Sequence, residues 1–209
     1  MKILGLQQGS EEWLAARAGK VTASRIADVL AKIKTGEAAA RRDYKAQLVA
    51  EILTGQPQDS GYINAEMQWG TEQEPFARAA YEVATDSMVD QVGFVLHPTI
   101  ERAGASPDGL VGDSGMVEIK CPKTATHLQY LLAKKVPAQY EPQMLWQMAC
   151  TGREWCDFAS FDPRLPSELQ LFVVRLQRDD KRIAEMEAEV NGLLNEVDAM
   201  VEQLQRKAA

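Results

Sequence analysis

The sequence predicts a mixed α/β (α+β) domain, with helices flanking a sheet of short strands and a long carboxy-terminal helix. Three observations point there. Apolar residues recur at helical spacing through residues 10–84, give way to short β-type runs between 92 and 120, and return to helical spacing from 179 onward. Pro, Gly, Asp and Ser separate the middle runs, as turns between strands require. At 209 residues, without an internal repeat or low-complexity linker, the chain suits one well-cored domain.

Each element follows in order. Ser10-Glu11-Glu12-Trp13 reads as a capped helix start with acids in the first turn, and Gly19 ends it. A second helix opens at Thr22-Ala23-Ser24, with Ile26, Val29, Leu30 and Ile33 spaced i, i+3, i+4 and i+7. A third covers 41–53, closed by Gly55 and Pro57. A fourth covers 67–84, where Trp69, Phe76 and Ala80 define the apolar stripe and Glu74 lies at its margin beside Ala77 and Tyr81. Strands are expected at 92–96, 101–105 and 116–120, helices at 124–134 and 140–151, then strands at 155–161 and 169–176. The last helix, 179–206, carries Ile183, Met186, Val190, Leu193, Leu194, Val197, Met200, Val201 and Leu204 on one stripe, which must pack on the same chain or on a subunit or partner. The expected division is a domain at 1–178 and a helix at 179–209.

Composition narrows the class. Hydrophobic residues make up 45% and charged residues 25%, as in a globular protein. No apolar run approaches a membrane span, and the amino terminus, Met1-Lys2-Ile3-Leu4-Gly5, has no secretory apolar stretch. Cys121, Cys150 and Cys156 are odd in number and lack a C-x-x-C pair, so neither a disulfide framework nor a zinc site is implied. A cytoplasmic protein is expected. Cys121 reads as a small buried residue, and the separated His97 and His127 read as surface or structural. The net charge of −7 weighs against a simple DNA-binding module, which is usually basic. It does not exclude a local basic groove, because the field near a site depends on where charges sit.

The informative segment is Ser106-Pro107-Asp108-Gly109-Leu110, followed by Met116-Val117-Glu118-Ile119-Lys120-Cys121-Pro122. Alternate side chains of a strand share a face, so Glu118 and Lys120 project together while Val117 and Ile119 enter the core. A turn at Pro107 and Gly109 brings Asp108 beside them. Converging carboxylates suit a hard cation such as Mg²⁺, and a charged lysine alongside can orient water or stabilise charge on a phosphate. The alternative is an exposed hairpin with a surface Glu–Lys pair.

Here the chain resembles a known family. Asp108 with its preceding proline and Glu118-Ile-Lys120 resemble the PD-(D/E)xK nuclease signature. The wider pattern is similar to the phage lambda exonuclease group, the YqaJ-type viral recombinases. It comprises Trp13-x-x-x-Arg17, Thr22-Ala-Ser24, Trp69-Gly-x-x-x-Glu74, Ser106-Pro-Asp108-Gly, Glu118-Ile-Lys120-Cys-Pro and Tyr140-x-x-Gln143-x-x-x-Gln147, and spans residues 8–165.

The resemblance implies a restriction-endonuclease-like core sheet and a 5′→3′ exonuclease of linear double-stranded DNA, serving phage-type recombination. Asp108, Glu118 and the Ile119 carbonyl would hold Mg²⁺, with Mn²⁺ also suited and two ions per site. Glu74, Lys120 and Gln143 would complete the catalytic set, with Gln147 as a further candidate. Arg17, Ser24 and Ser106 would bind the terminal 5′-phosphate. Lys34 and Met67 stand where the family places a basic residue and an apolar wedge for strand separation; arginine and a leucine-like residue are the expected types. A homotrimeric ring and a single-strand annealing protein are the implied partners.

Plainer roles exist for several of these. Arg17 and Ser24 could simply cap helices, Glu74 could be solvated, and Gln143 and Gln147 could bond a neighbouring helix. A structure-specific endonuclease is a rival on the same fold, although the CRISPR-associated type commonly carries four cysteines. A noncatalytic DNA-binding or scaffold protein is the rival of another class.

Overall fold

The strand that carries Glu118 and Lys120 lies inside the protein, covered by helices on both faces, and the other elements are arranged around it. The computed structural model describes residues 1–58 and 64–208. The chain begins with β1 (Lys2–Leu4) and α1 (Glu11–Arg17), whose Ser10 hydroxyl caps the Trp13 amide at 3.2 Å. It continues through β2 (Val21–Thr22), a 3₁₀ turn at Ala23–Arg25, α2 (Ile26–Val29), α3 (Ala39–Thr54) and α4 (Ala65–Thr85). Short strands follow: β3 (Val89–Asp90), β4 (Phe94–Leu96), β5 (Ala103–Ala105), β6 (Gly109–Val111) and β7 (Gly115–Lys120). The remainder is α5 (Thr124–Ala133), α6 (Glu141–Thr151), β8 (Trp155–Phe161), β9 (Leu171–Gln177) and α7 (Asp180–Ala208).

The strands form two sheets, ordered β1-β4-β5-β2 and β3-β6-β7-β8-β9. In the larger one β7 is central, antiparallel to β6 and parallel to β8 along its whole length. Met116 joins the main core with α6 and α7, while Val117 and Ile119 pack in a second cluster with Ala77 and Tyr81 of α4. Alternation therefore turns Glu118 and Lys120 toward α6.

Two expectations need correction. The second helix is short: after the 3₁₀ turn α2 ends at Val29, and Ile33 is 56% exposed. A periodic residue sustains a helix only where its face can be buried, and Ile33 lies outside the core. On α4 the buried residues are Ala77 and Tyr81, whereas Phe76 is 63% exposed. The Tyr81 hydroxyl donates to the buried Asp157 carboxylate at 2.8 Å, which fixes this rotation of the helix.

The long helix α7 packs on its own chain. Ile183, Met186, Val190, Leu193, Leu194, Val197 and Val201 join the main core, against α2, α3 and α6. Glu196 clasps Arg41 and Lys45 of α3, each at 2.8 Å. Leu204, near the end of the stripe, stays 42% exposed. Among the described residues no helix is long and apolar enough to cross a membrane.

Leu193 is fully buried in this seam. Leu193→Ala is expected to cost about 2–5 kcal/mol, lowering Tm by several degrees at every protein concentration. A loss that disappears on concentrating the protein would place the stabilising contact between subunits instead.

Candidate active site

The site grows from the end of the β6–β7 pair. Gly109 lies opposite Val117, and continuing that register by two residues would set Pro107 opposite Ile119. Proline has no N–H, so Pro107 cannot donate to the ladder at that position. The Ile119 N–H instead donates to Asp108 Oδ2 at 2.6 Å, and the Pro107 carbonyl accepts from Gln8 Nε2 at 2.9 Å. The Pro-Asp dipeptide thus ends the hairpin and delivers a carboxylate to the next strand in one step.

Glu118 is fully buried and held from three sides. Gln143 Nε2 donates to its Oε1 and Gln147 Nε2 to its Oε2, both at 2.7 Å, and the Lys120 ammonium pairs with Oε1. The two glutamines bond this carboxylate and not a neighbouring helix. Lys120 also lies 5.3 Å from the ring centre of Tyr140, which lines the same cleft. The cleft is bounded further by Met67, Glu74, Asp108, Ile119 and Cys121, the last half-buried rather than buried as expected.

Charge is concentrated here. Burial, then the Glu118 charge and more weakly that of Glu74, push the Asp108 carboxyl up to about 8, against the opposing pull of Lys120. Burial alone would lower the Lys120 ammonium, but Glu118 and Asp108 outweigh it and hold the group above its usual value. Burial also lifts the Cys121 thiol to about 12, leaving it a poor nucleophile. Among the described residues no group of three or more His, Cys, Asp or Glu side chains stands ready as a metal cage. The donor chemistry fits a hard cation nonetheless: oxygen ligands only, with mutual repulsion at Asp108 that a positive charge would relieve.

A second cavity, of about 150 Å³, is lined by Arg17, Lys20, Thr22, Ser24 and Arg25, with Tyr44 and Glu51 behind them. Its size is well below the ~300–1,000 Å³ of sites for drug-sized ligands. The Glu51 carboxylate is occupied by the Gly19 amide at 2.7 Å and Gln47 at 2.9 Å. Ser24 belongs to the 3₁₀ turn and does not cap a helix. Ser106 is not among the lining residues; its Oγ accepts from Trp13 Nε1 at 2.9 Å, and Arg17 stacks over the same indole at 3.8 Å. Lys34 is exposed on the 30–38 loop and lines neither cavity.

Sequence reasoning left out Gln8 and the Trp13 indole as supports of the Pro-Asp turn. Their bonds span 99 and 93 residues, so only the presence of Trp13 in a recurring motif signalled it. Both histidines are structural. His127 joins Ser160 at 2.7 Å to the Leu169 carbonyl at 2.9 Å, and buried His97 stacks on Trp146.

Asp108 provides a test by pH. A folded-state pKa above the unfolded value means the native state binds more protons, so stability falls as pH rises from about 4 toward 8. In chelating buffer Asp108→Asn, which can still accept from Ile119, is expected to stabilise the protein at pH 8 relative to pH 4. One unit of relieved shift, about 1.4 kcal/mol, corresponds to roughly 3–6 °C. A Tm difference independent of pH would refute the charge concentration.

Comparisons with known proteins bear on the family and the fold. The family model "YqaJ-like viral recombinase domain" matches residues 12–154. The alkaline exonuclease LHK-Exo from Laribacter hongkongensis is 53% identical, with TM-score 0.87, covering 95% of this chain and 98% of its own. LHK-Exo in complex with dAMP gives 54% identity and TM-score 0.88 over the same shares. A phage-related exonuclease from Haemophilus somnus 129PT, 17% identical over 88% of this chain and 96% of its own, shares the fold with TM-score 0.70. A comparison with curated proteins finds no match. With the family model spanning well over half of the sequence, the chain belongs to the YqaJ-like viral recombinase family.

Proposed function

We propose that this nuclease is a metal-dependent 5′→3′ exonuclease of linear double-stranded DNA that releases mononucleotides and leaves a 3′ single strand. The observation that carries the reading is the convergence of Asp108, Glu118 and Lys120 at the end of β7, in a chain half identical to an alkaline exonuclease. The dAMP of the LHK-Exo complex, a deoxymononucleotide, supports the product class.

Asp108, Glu118 and the Ile119 carbonyl would hold Mg²⁺ or Mn²⁺, two ions per site, with Glu74 in support from α4. Such an ion supplies Lewis acidity, making water more acidic and offsetting charge on the leaving oxygen. The residues do the rest. Lys120, kept protonated by its carboxylate neighbours, orients the attacking water and stabilises the scissile phosphate rather than taking a proton. Gln143 and Gln147 fix both oxygens of Glu118.

Arg17 and Ser24 hold the terminal 5′-phosphate in the small basic cavity, with Ser106 acting through Trp13. Exposed Met67, at the mouth of the cleft, acts as the wedge, and Lys34 contacts the displaced strand. In this reading the protein works in the cytoplasm as a homotrimeric ring with a single-strand annealing protein, in phage-type homologous recombination.

Digestion of end-labelled linear duplex, beside a closed circle, tests the activity. Mg²⁺-dependent loss of the 5′ label with the circle intact is expected; cutting of the circle would favour an endonuclease. Asp108→Ala and Lys120→Ala should each reduce cleavage by ~10²-fold or more while the protein stays folded, and retained cleavage would refute the site. Arg17→Ala should chiefly remove the preference for 5′-phosphorylated over 5′-hydroxyl ends. Equal rates on both ends in the parent protein would refute the phosphate pocket.

A further inference from the structure

One indole joins the basic cavity to the carboxylates. The Arg17 guanidinium lies 3.8 Å from the Trp13 ring centre, and the Trp13 Nε1–H donates to Ser106 Oγ at 2.9 Å. Pro107 follows, its carbonyl held by Gln8, and next comes Asp108, bonded to the Ile119 amide at 2.6 Å. Trp13 and Asp108 also line one groove between the amino-terminal segment and α4.

Building on the exonuclease reading above, we propose that Trp13 is a positioning residue that couples occupancy of the 5′-phosphate cavity to the placement of Asp108. A cation gripping an anion must keep its plane, and the aromatic face beneath it sets that plane. An indole is rigid, so the orientation of its face also sets the direction of its in-plane N–H. Ser106 is two residues from Asp108, and the intervening proline has a locked φ, so little play separates the two. An end that seats Arg17 therefore steadies the turn that presents Asp108. By linkage, steadying Asp108 also favours the seated end.

The test separates the indole N–H from the ring. Trp13→Phe keeps an aromatic face under Arg17 and removes the donor; Ser106→Ala removes the acceptor. On 5′-phosphorylated duplex with Mg²⁺, each variant and the double variant should lose about tenfold in kcat, the value of one hydrogen bond. KM should move by less than about threefold, and the rate ratio of phosphorylated to hydroxyl ends should fall toward one.

A second readout needs no turnover. In chelator, 5′-phosphorylated duplex should slow hydrogen exchange at the Ile119 amide and across 105–111 more than 5′-hydroxyl duplex does, and Trp13→Phe should abolish that difference. Equal slowing of both ends by the variants, a change in KM alone, or a retained exchange difference would overturn the coupling and leave the exonuclease reading intact. A parent protein indifferent to the 5′-phosphate would overturn the end-recognition reading and the coupling with it.

Discussion

A carboxylate with no access to water must have its oxygens satisfied by the protein, and Glu118 is such a group. Removing one partner from a buried ion pair typically costs about 3–5 kcal/mol, so the surroundings of Glu118 are constrained well beyond ordinary packing. Two glutamines four residues apart on α6 each deliver one amide to one oxygen, because residues at that spacing stack on one helix face. Helix α6 must therefore sit over β7 in this register, and Met144, Leu145, Trp146 and Met148 bury its remaining sides. One consequence is visible in Gln147. Its nitrogen must aim at Glu118, so its Oε1 is left buried with no hydrogen-bond partner among the described residues. The local penalty is accepted because the alternative would place two oxygens against each other.

The second constraint comes from a missing donor. Any other residue at Pro107 could extend the β6–β7 ladder and occupy the Ile119 carbonyl. With proline there, no main-chain N–H is offered from that position, and the Asp108 side chain takes the Ile119 N–H. The end of the ladder and the placement of Asp108 therefore share one cause.

What the sequence made legible follows from how local each signal is. The Ser10 cap, the left-handed Gly55 and the alternation through β7 are nearest-neighbour effects, and the structure contains all three. The Asp108, Glu118 and Lys120 cluster was legible because a turn and a strand suffice to build it. Burial of Glu118 was not, since Met116-Val117-Glu118-Ile119-Lys120 reads as a strand with one polar face. Only α6, more than twenty residues away, reveals that amides cover that face. Strands of two or three residues, such as β2, are below the length at which a pattern exists. On α4, Phe76 is the more apolar choice for the core, but Tyr81 also satisfies Asp157, and a buried acid outranks one more apolar contact.

The acidic total and the lifted Asp108 express one feature at two scales. Several of the acids on α7 are spent on structure: Glu189 on Lys32, Glu196 on Arg41 and Lys45, Asp198 on Arg102. Those pairs are neutral at short range and have little influence on the cleft beyond a Debye length. Near the chemistry lie the cationic side chains of Arg17, Lys20 and Arg25, the last paired with Asp28, and a knot of carboxylates at Asp108, Glu118 and Glu74, of which Glu118 pairs with Lys120 and Glu74 with Arg78. A fold that concentrates like charge is less stable than it could be, and it persists because the β6–β7 pair, Gln8 and the Ile119 amide hold Asp108 from several directions. Net charge therefore describes the molecule poorly as a binder of polyanions. The local field is set by where charges sit, and here cationic and anionic groups line separate cavities.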